Sequence, residues 1–386
     1  FYLYDSDDHV TYAAIKAGAR LTEPGDILML VRGMTLHNDI PIGIAIRPMT
    51  FNQDVKAIRG AVGVDTRFIA YWLLGNKGKL LTAVDQASHG TGRLQTDVLH
   101  AMKMYLPPED EQRAIAGVLG ALDDKIEQNR KTARALERLA RAIFRAWFVD
   151  FEPVKAKAAG ATSFPSMPKP VFDALPTRFV DSEIGPVPEG WEVKPLSSIC
   201  ILVSGGTPKR SEPSYWGGDV SWYSVKDAGD GEVWVINTGE RITKDGLANS
   251  AARIVQKGCT IISARGTVGK LAMAGMDMAF NQSCYGLLPS DGVSFSYLYL
   301  LMQTAVADLS QRTHGSVFDT ITRATFDGLI VVSPRSDVVS SFEVVVAPLF
   351  DALLASLHES AKLAELRDYL LPSLLSGSVR VEAANG

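Results

Sequence analysis

Three charged residues could form a metal-dependent nuclease site. Glu192 and Lys194 are separated by one residue, and Asp181 precedes them. Two carboxylates and a lysine are groups with which such enzymes hold a divalent cation and orient the attacking water. An acidic residue and a lysine at this spacing also arise often by chance, and Asp181 stands in a proline-rich stretch. A nuclease is therefore kept as an alternative hypothesis.

Other catalytic motifs are incomplete. Gly266-Thr-Val-Gly269-Lys270 resembles a phosphate-binding loop, but Ala264 stands where that motif needs glycine and Leu271 where it needs Ser or Thr. The sequence contains no HExxH motif, no CxxC pair and no glycine-rich dinucleotide motif. We therefore expect no catalytic residue, no metal and no cofactor in this chain.

The remaining polar residues suit hydrogen bonding to a nucleic acid. Asn and Gln can bind the edge of adenine, whereas Arg and Lys can bind guanine or a phosphate. Asn52-Gln53 and Asn281-Gln282 each follow a phenylalanine and could bind a base in this way. They could instead cap a turn or satisfy buried backbone groups, and this is the interpretation that we favour. The candidate DNA-binding residues are Arg32, Asn52, Gln53, His89, Thr91, Arg93, Lys226, Arg265, Lys270, Asn281, Gln282, His314 and Ser316.

These candidates recur in two similar stretches of the chain. Gly25–Gly33 and Gly258–Gly266 each contain a glycine, a short apolar run and an Arg-Gly pair. In both stretches a Phe-Asn-Gln triplet and then a His-Gly-Thr/Ser triplet follow. The pattern predicts the same turn, buried strand and strand end in each copy. The sequence is therefore interpreted as a duplication.

A long amphipathic helix is predicted after each copy. Its apolar positions align without a gap when the second copy is taken 227 residues later. Steps of three and four residues place them on one narrow stripe, typical of a coiled-coil seam. The predicted seam and partner-contact residues are Ile115, Leu122, Ile126, Leu136, Ile143, Leu349, Leu353, Leu363 and Leu370. Asn129 is a polar seam position with Ser356 as its counterpart, and Pro348 is expected to break or kink the second helix.

The pattern divides the chain into mixed domains and long helices. We predict an α+β protein in which two mixed α/β domains are separated by two long coiled-coil helices. The first domain is shorter at its start than the second, so we expect it to be N-terminally truncated. The predicted segments are residues 1–107 (first domain), 108–150 (first helix), 151–185 (extended proline-rich linker), 186–335 (second domain), 336–380 (second helix) and 381–386 (tail).

Composition constrains the partner only weakly. The formal net charge is −4, which gives no support for nucleic-acid binding on its own. Three widely spaced cysteines fit a reducing cytoplasm better than a disulfide framework. We also expect no stretch long and apolar enough to span a membrane.

Taken in order, the motifs resemble those of the specificity (S) subunit of type I restriction–modification systems. The resemblance extends from about Gly25 to Val381. The motifs that carry it are Gly205-Gly206-Thr207-Pro208, Tyr215–Trp222, Ile242–Leu247, Ser263–Gly269, Phe280-Asn281-Gln282 and Leu363–Gly377.

The resemblance implies a function that needs no catalytic residue in this chain. In that family each recognition domain reads one half of a bipartite double-stranded DNA target. The helices pair antiparallel and dock modification (methyltransferase) subunits, and restriction (translocase-nuclease) subunits complete the complex. S-adenosylmethionine, ATP and Mg are expected on those partner subunits, which would methylate adenine or cleave DNA. A coiled-coil scaffold that pairs two unrelated binding domains remains the alternative of a different class.

Overall fold

A computed structural model of the chain describes residues 1–86, 91–229, 231–312 and 320–381. By their contacts the residues form two compact units. The first unit consists of Phe1–Gln128 and Glu359–Gly386, and the second of Asn129–His358. Each long helix contributes to both units.

The first unit is built on a small sheet covered by helices. Its four-stranded sheet has the order β1-β4-β2-β5, and β3, β7 and β6 form a second sheet. Asp65 caps α2 by accepting a hydrogen bond from the Phe68 N–H at 2.9 Å. The elements are β1 (Tyr2–Leu3), α1 (Tyr12–Lys16), β2 (Ile27–Leu30), β3 (Arg32–Gly33), β4 (Ile42–Ala45), β5 (Val55–Ile58), α2 (Thr66–Gly75), α3 (Lys77–Thr82), β6 (Asp85–Gln86), β7 (Gly92–Arg93), α4 (Thr96–Ala101) and the start of α5 (Glu109–Phe148).

The second unit contains larger sheets. One has five strands in the order β11-β18-β15-β16-β13, another has the order β14-β12-β17, and two strand pairs, β8-β9 and β10-β19, complete it. The elements are α6 (Glu152–Ala158), α7 (Lys169–Ala174), β8 (Phe179–Val180), β9 (Val187–Pro188), β10 (Glu192–Pro195), β11 (Cys200–Ser204), β12 (Trp216–Tyr223), β13 (Trp234–Val235), β14 (Glu240–Ile242), α8 (Lys244–Ala248), β15 (Thr260–Ser263), β16 (Leu271–Ala274), β17 (Ala279–Phe280), β18 (Cys284–Pro289), α9 (Phe295–Arg312), α10 (Arg323–Gly328), β19 (Ile330–Ser333) and α11 (Ser336–Leu375).

The sequence repeat is a structural repeat. β2 lies between β4 and β5 with antiparallel pairing, and β15 lies between β16 and β18 in the same way. The short strand β1 runs parallel to β4, as β13 does to β16. Gly25 and Gly258 both have a positive φ, which favours glycine, and each donates its N–H to an alanine carbonyl, at 2.7 and 2.8 Å. The predicted duplication is therefore present in the backbone.

One part of the second copy is not matched in the first. β11, β12 and β14 have no counterpart among the described residues of the first unit. In the second unit, β11 covers the outer edge of β18 over five residue pairs. The equivalent edge of β5 pairs with no strand in the part of the chain that the structure describes.

Both long helices are continuous over 40 residues. The first agrees with the predicted limits, and acidic residues at its start and Arg145 in its last turn suit the helix dipole. The expected break at Pro348 is wrong, because α11 runs through it. Pro348 and Val344, the residue whose carbonyl loses its helical partner there, are both exposed, so water can satisfy that carbonyl.

The helices pair antiparallel within each unit. In the first unit, Arg367 of α11 contacts Asp123 of α5 at 2.7 Å, and Lys125 lies 3.4 Å from Glu359. In the second unit, the Asn129 amide lies 3.5 Å from the Ser356 carbonyl, and the rings of Phe144 and Phe342 are 5.9 Å apart. The partners rise along α5 as they fall along α11, which is the antiparallel direction.

All the predicted seam residues are buried or half-buried. Ile115, Ile126 and Leu353 are buried, and Leu122, Leu136, Ile143, Leu349, Leu363 and Leu370 are half-buried. Asn129 is buried, and its amide lies 3.5 Å from the backbone carbonyl of Ser356, its own repeat counterpart. Phe144 of α5 contacts Phe342 of α11 beyond the predicted stripe, whereas Phe350 of α11 packs against Trp234 and Tyr299.

α11 is also long and apolar enough to cross a membrane by length and composition, with a mean hydropathy of 1.8 over its most apolar window. Our expectation that no such stretch exists is wrong by that criterion. One such helix is weak evidence, because a core helix of a soluble protein passes the same test. Within the second unit its residues Phe342, Val346 and Phe350 are buried in the hydrophobic core.

The segment predicted as an extended linker is folded. α6 and α7 lie within residues 151–185, and Val154, Met167, Phe172 and Leu175 are buried in the same core as Phe342. The prediction of extended character followed from the prolines. Pro153 and Pro170 instead lie in the first turns of α6 and α7, where a missing N–H costs no helical hydrogen bond.

Candidate nucleic-acid interface

The two repeated asparagines form the same turn. The Oδ1 atom of Asn52 accepts the N–H of Asp54, and that of Asn281 accepts the N–H of Ser283, each at 3.0 Å. Such side-chain turns fix the chain as it leaves one strand and enters the next. The turn-capping interpretation that we favoured is confirmed for Asn52 and Asn281, whose side-chain nitrogens take no part in these turns.

The two repeated arginines also occupy equivalent strand ends. The residue before Arg32 is Val31, whose carbonyl accepts the Leu94 N–H at 2.9 Å. The residue before Arg265 is Ala264, whose carbonyl accepts the Ile321 N–H at the same distance. Arg32 and Arg265 are exposed. The fold therefore holds both side chains on a fixed backbone at the surface of their own unit.

In the first unit, two predicted cations lie on neighbouring strands. Arg32 of β3 pairs in register with Arg93 of β7, and both are exposed. The nearest anion to Arg32 is Asp54, at 3.8 Å. Thr91 precedes β7 and is half-buried, Gln53 is exposed, and His89 lies outside the described residues. Asp85 of β6 pairs in register with Arg93, so these two cations have two acids beside them. Both guanidinium groups are exposed and could still donate hydrogen bonds to phosphates.

In the second unit, Arg265 and Lys270 lie in the turn between β15 and β16. The Ser263 hydroxyl accepts the Lys270 N–H at 2.8 Å, which closes the turn, and Lys270 is half-buried. Lys226 is exposed in a different loop, after β12. His314 and Ser316 lie outside the described residues. Arg265 and Lys270 therefore lie in the same turn. Lys226 lies in a different loop, at the end of β12.

Gln282 contacts the Gly205–Pro208 loop, from which no DNA-binding candidate was predicted. The Thr207 hydroxyl donates a hydrogen bond to the Gln282 side-chain carbonyl. The Gly206 N–H donates to the Phe280 carbonyl at 2.9 Å. A Cβ atom at position 205 would lie 2.0 Å from the Asn281 carbonyl oxygen. The Gly205-Gly206 pair therefore allows this loop to pack closely against the Asn281 backbone.

Besides Thr207, Arg210 is a second polar residue that was not predicted as a candidate from the sequence. Its guanidinium lies 3.8 Å from the centre of the Trp216 ring, and its two terminal nitrogens bind the Glu240 carboxylate. These hydrogen bonds hold the pKa of Glu240 below its usual value, against a smaller opposing effect of desolvation. An arginine close to two tryptophans in sequence was the available signal, but tryptophans in turns more often pack in cores. Trp222 does so, being buried.

The cysteine thiols are poor nucleophiles. Cys200, Cys259 and Cys284 are free and buried. Burial raises the pKa of Cys200 to about 11 and those of Cys259 and Cys284 to about 12. The thiols therefore stay protonated at neutral pH, and the thiolate is the reactive form.

The proposed nuclease residues do not form a metal site. Glu192 is ion-paired with Lys194 on the same strand, and Asp181 is exposed. Across the described ranges no three His, Cys, Asp or Glu side chains are grouped so that they could hold a metal ion. The sequence spacing of Glu192 and Lys194 is explained by the alternation of β10, which places them on one face.

Comparison with known proteins identifies the family. A family model described as "Type I restriction modification DNA specificity domain" matches residues 16–138 and 188–342. The HindI type I specificity subunit of Haemophilus influenzae is 26% identical over 325 residues, covering 73% of this chain and 70% of that protein. The MjaIX specificity subunit of Methanocaldococcus jannaschii is 25% identical over 390 residues, covering 99% and 84%.

A solved structure has the same fold. The type I S subunit from M. genitalium aligns over 93% of this chain and 84% of its own, with a TM-score of 0.55 at 14% identity. The two blocks of the family match together cover more than half of the chain, and each includes one copy of the structural repeat. This chain therefore belongs to the family of type I restriction–modification DNA specificity subunits.

Proposed function

We propose that each copy of the repeat reads one half of a bipartite double-stranded DNA target on behalf of partner subunits. The observation that carries this proposal is the duplicated strand, turn and arginine arrangement in a chain of the specificity-subunit family. Two similar recognition domains in one chain suit a target with two half-sites. The exposed cations Arg32, Arg93 and Arg265 would contact phosphates, which position a protein on DNA without reading its sequence.

As a member of this family, the chain is the specificity component and not the enzyme of its complex. The chemistry is proposed to come from modification and restriction subunits, which would bring S-adenosylmethionine, ATP and Mg. We place the complex in the cytoplasm, where it would meet DNA. The paired helices α5 and α11 are the proposed contact with the modification subunits.

The net charge of −4 bears on how the complex binds DNA. A DNA-binding protein usually gains much of its affinity from neutralised phosphates. In this chain the described cations form small local groups, so a share of the positive surface would have to come from the partners. The isolated chain should accordingly bind DNA more weakly than the complex, and its binding should weaken as salt rises.

The test is to express the chain with its modification subunit in a host that lacks other adenine methylation and to map methylated adenines. The proposal expects one bipartite motif that disappears when this gene is deleted and the modification subunit is kept. Methylation that is independent of this gene, or a motif with a single contiguous half, would overturn it.

A further inference from the structure

Residues found in only one copy of the repeat can distinguish two different half-sites. Arg32 and Arg265 occupy equivalent positions, as do Asn52 and Asn281, so they would present the same groups to both halves. The segment that contains β11, β12 and β14 is found only in the second unit among the described residues. Arg210 lies in this segment, in the loop between β11 and β12.

The tip of the Arg210 side chain is held on two sides. Its guanidinium stacks on Trp216 at 3.8 Å and lies 5.1 Å from the Trp222 ring centre. The two tryptophan rings are perpendicular, with centres 5.2 Å apart. Nη1 and Nη2 donate to the two carboxylate oxygens of Glu240, the second at 2.9 Å. Stacking and bidentate pairing together fix the plane of the guanidinium.

The backbone that carries Arg210 is fixed as well. The Trp222 indole N–H donates to the Gly206 carbonyl at 2.9 Å, and the Gly206 N–H is bound by the Phe280 carbonyl. The Trp216 indole N–H lies 3.3 Å from the Lys209 carbonyl, immediately before Arg210. Because little freedom remains to be lost, a ligand bound by this arginine would incur a small entropic cost.

The geometry leaves one edge of the guanidinium for a ligand. Glu240 takes one hydrogen from each terminal nitrogen. The Nε–H and the second Nη2 hydrogen remain as two parallel donors, and within the described residues Nε makes no hydrogen bond. The Arg210 side chain as a whole is 55% exposed, which is compatible with a ligand reaching it. Two parallel N–H donors match the O6 and N7 acceptors of guanine in the major groove.

Phosphate would also accept two hydrogen bonds, but the charge at this site favours the base. Glu240 neutralises Arg210, and so reduces its attraction to a phosphate anion. A hydrogen-bonded base edge is neutral and depends chiefly on the orientation of the fork, which Trp216 and Glu240 fix. Resting on the proposed function, we propose that Arg210 reads a guanine in the half-site of the second recognition domain, positioned by Glu240 and Trp216.

The experiment maps methylated adenines for the complex with the modification subunit, comparing Arg210→Ala and Arg210→Lys with wild type. Both variants should lose at least about tenfold of the preference for guanine at one motif position, because lysine keeps the charge but not the planar fork. Glu240→Gln should relax the same position less. Arg241→Ala, which removes an exposed arginine from the neighbouring position of β14, is the matched control and should keep the motif.

The outcomes separate this inference from the proposed function. Wild-type methylation without a bipartite motif contradicts the proposed function itself. A bipartite motif that both Arg210 variants retain, or that contains no guanine in either half, overturns the inference alone. A uniform loss of methylation with the guanine preference intact assigns Arg210 a structural role and overturns it too. If Arg210→Ala does not fold, Arg210→Lys decides on the same readout.

Discussion

Arg367 of α11 donates a hydrogen bond to the buried carboxylate of Asp123 of α5 at 2.7 Å, and the Tyr71 hydroxyl binds the other oxygen at the same distance. At the offset of 227 residues, Asp123 corresponds to Phe350 of α11 and Arg367 to Ala140 of α5, and both are buried in the hydrophobic core of the second unit. Equivalent contacts of the duplicated helices are thus ionic in one unit and apolar in the other.

The buried ion pair should stabilise the first unit more than an exposed pair of the same two helices does. Asp123→Ala should lower the free energy of unfolding by about 3 kcal/mol, near the low end for a broken buried pair, because Arg367 keeps partial exposure. Lys125→Ala removes an exposed pair with Glu359 and should change it by less than about 1 kcal/mol. Urea denaturation of the full chain measures both. Equal effects of the two substitutions would contradict the assignment of a buried ion pair.

Burial along α11 predicts which residues stabilise the helix pair. Leu353 is buried, and Leu353→Ala should cost about 2–5 kcal/mol of unfolding free energy. Val344, on the same helix, is 73% exposed, and Val344→Ala should change stability by about 0.5 kcal/mol or less. Thermal unfolding of the two variants would distinguish them. A large loss of stability in Val344→Ala and a small one in Leu353→Ala would mean that the opposite face of the helix packs against the core.

The repeated asparagine turns predict a role in stability. Asn281→Ala removes the acceptor of the Ser283 N–H and should destabilise the chain by about 1 kcal/mol. Asn281→Asp retains an acceptor there and should be closer to wild type. Denaturant titration of both variants measures this order. An unchanged stability of Asn281→Ala, together with an altered DNA target, would favour a base-reading role instead.

The buried thiols predict a loss of stability at high pH. The folded-state pKa values, about 11 for Cys200 and about 12 for Cys259 and Cys284, lie above the ordinary value of 9.0. Above pH 9 the unfolded chain releases thiol protons that the folded chain retains, so the free energy of unfolding falls as pH rises. At pH 8 a thiol reagent should react with the native chain only slowly, and with the urea-unfolded chain rapidly. Rapid native labelling would contradict the burial of these residues.

Much of the fold could be predicted from the sequence, because the signals were local and repeated. The apolar runs after Gly25 and Gly258 predicted equivalent strands, and the helix stripe predicted residues such as Ile126 and Leu353. Pro348 and the prolines of residues 151–185 were misjudged, because the effect of a proline depends on where its missing N–H lies. At Pro348 that position faces solvent, which sequence alone does not reveal.

The candidate site could be predicted less well. Repetition directed attention to Asn52, Asn281, Arg32 and Arg265, which are common to both copies. Arg210 has no repeated partner, and its contact with Glu240 joins residues 30 positions apart in the chain. Only the packing of the loop after β11 against β12 and β14 brings them together.

The central claim is that this chain specifies a bipartite DNA target with one recognition domain for each half. The most direct measurement exchanges residues 186–335 for the matching segment of the Haemophilus influenzae relative and maps methylated adenines in the resulting complex. The account predicts that one half of the motif changes and the other half is retained. A motif unchanged in both halves, or changed in both, would contradict it.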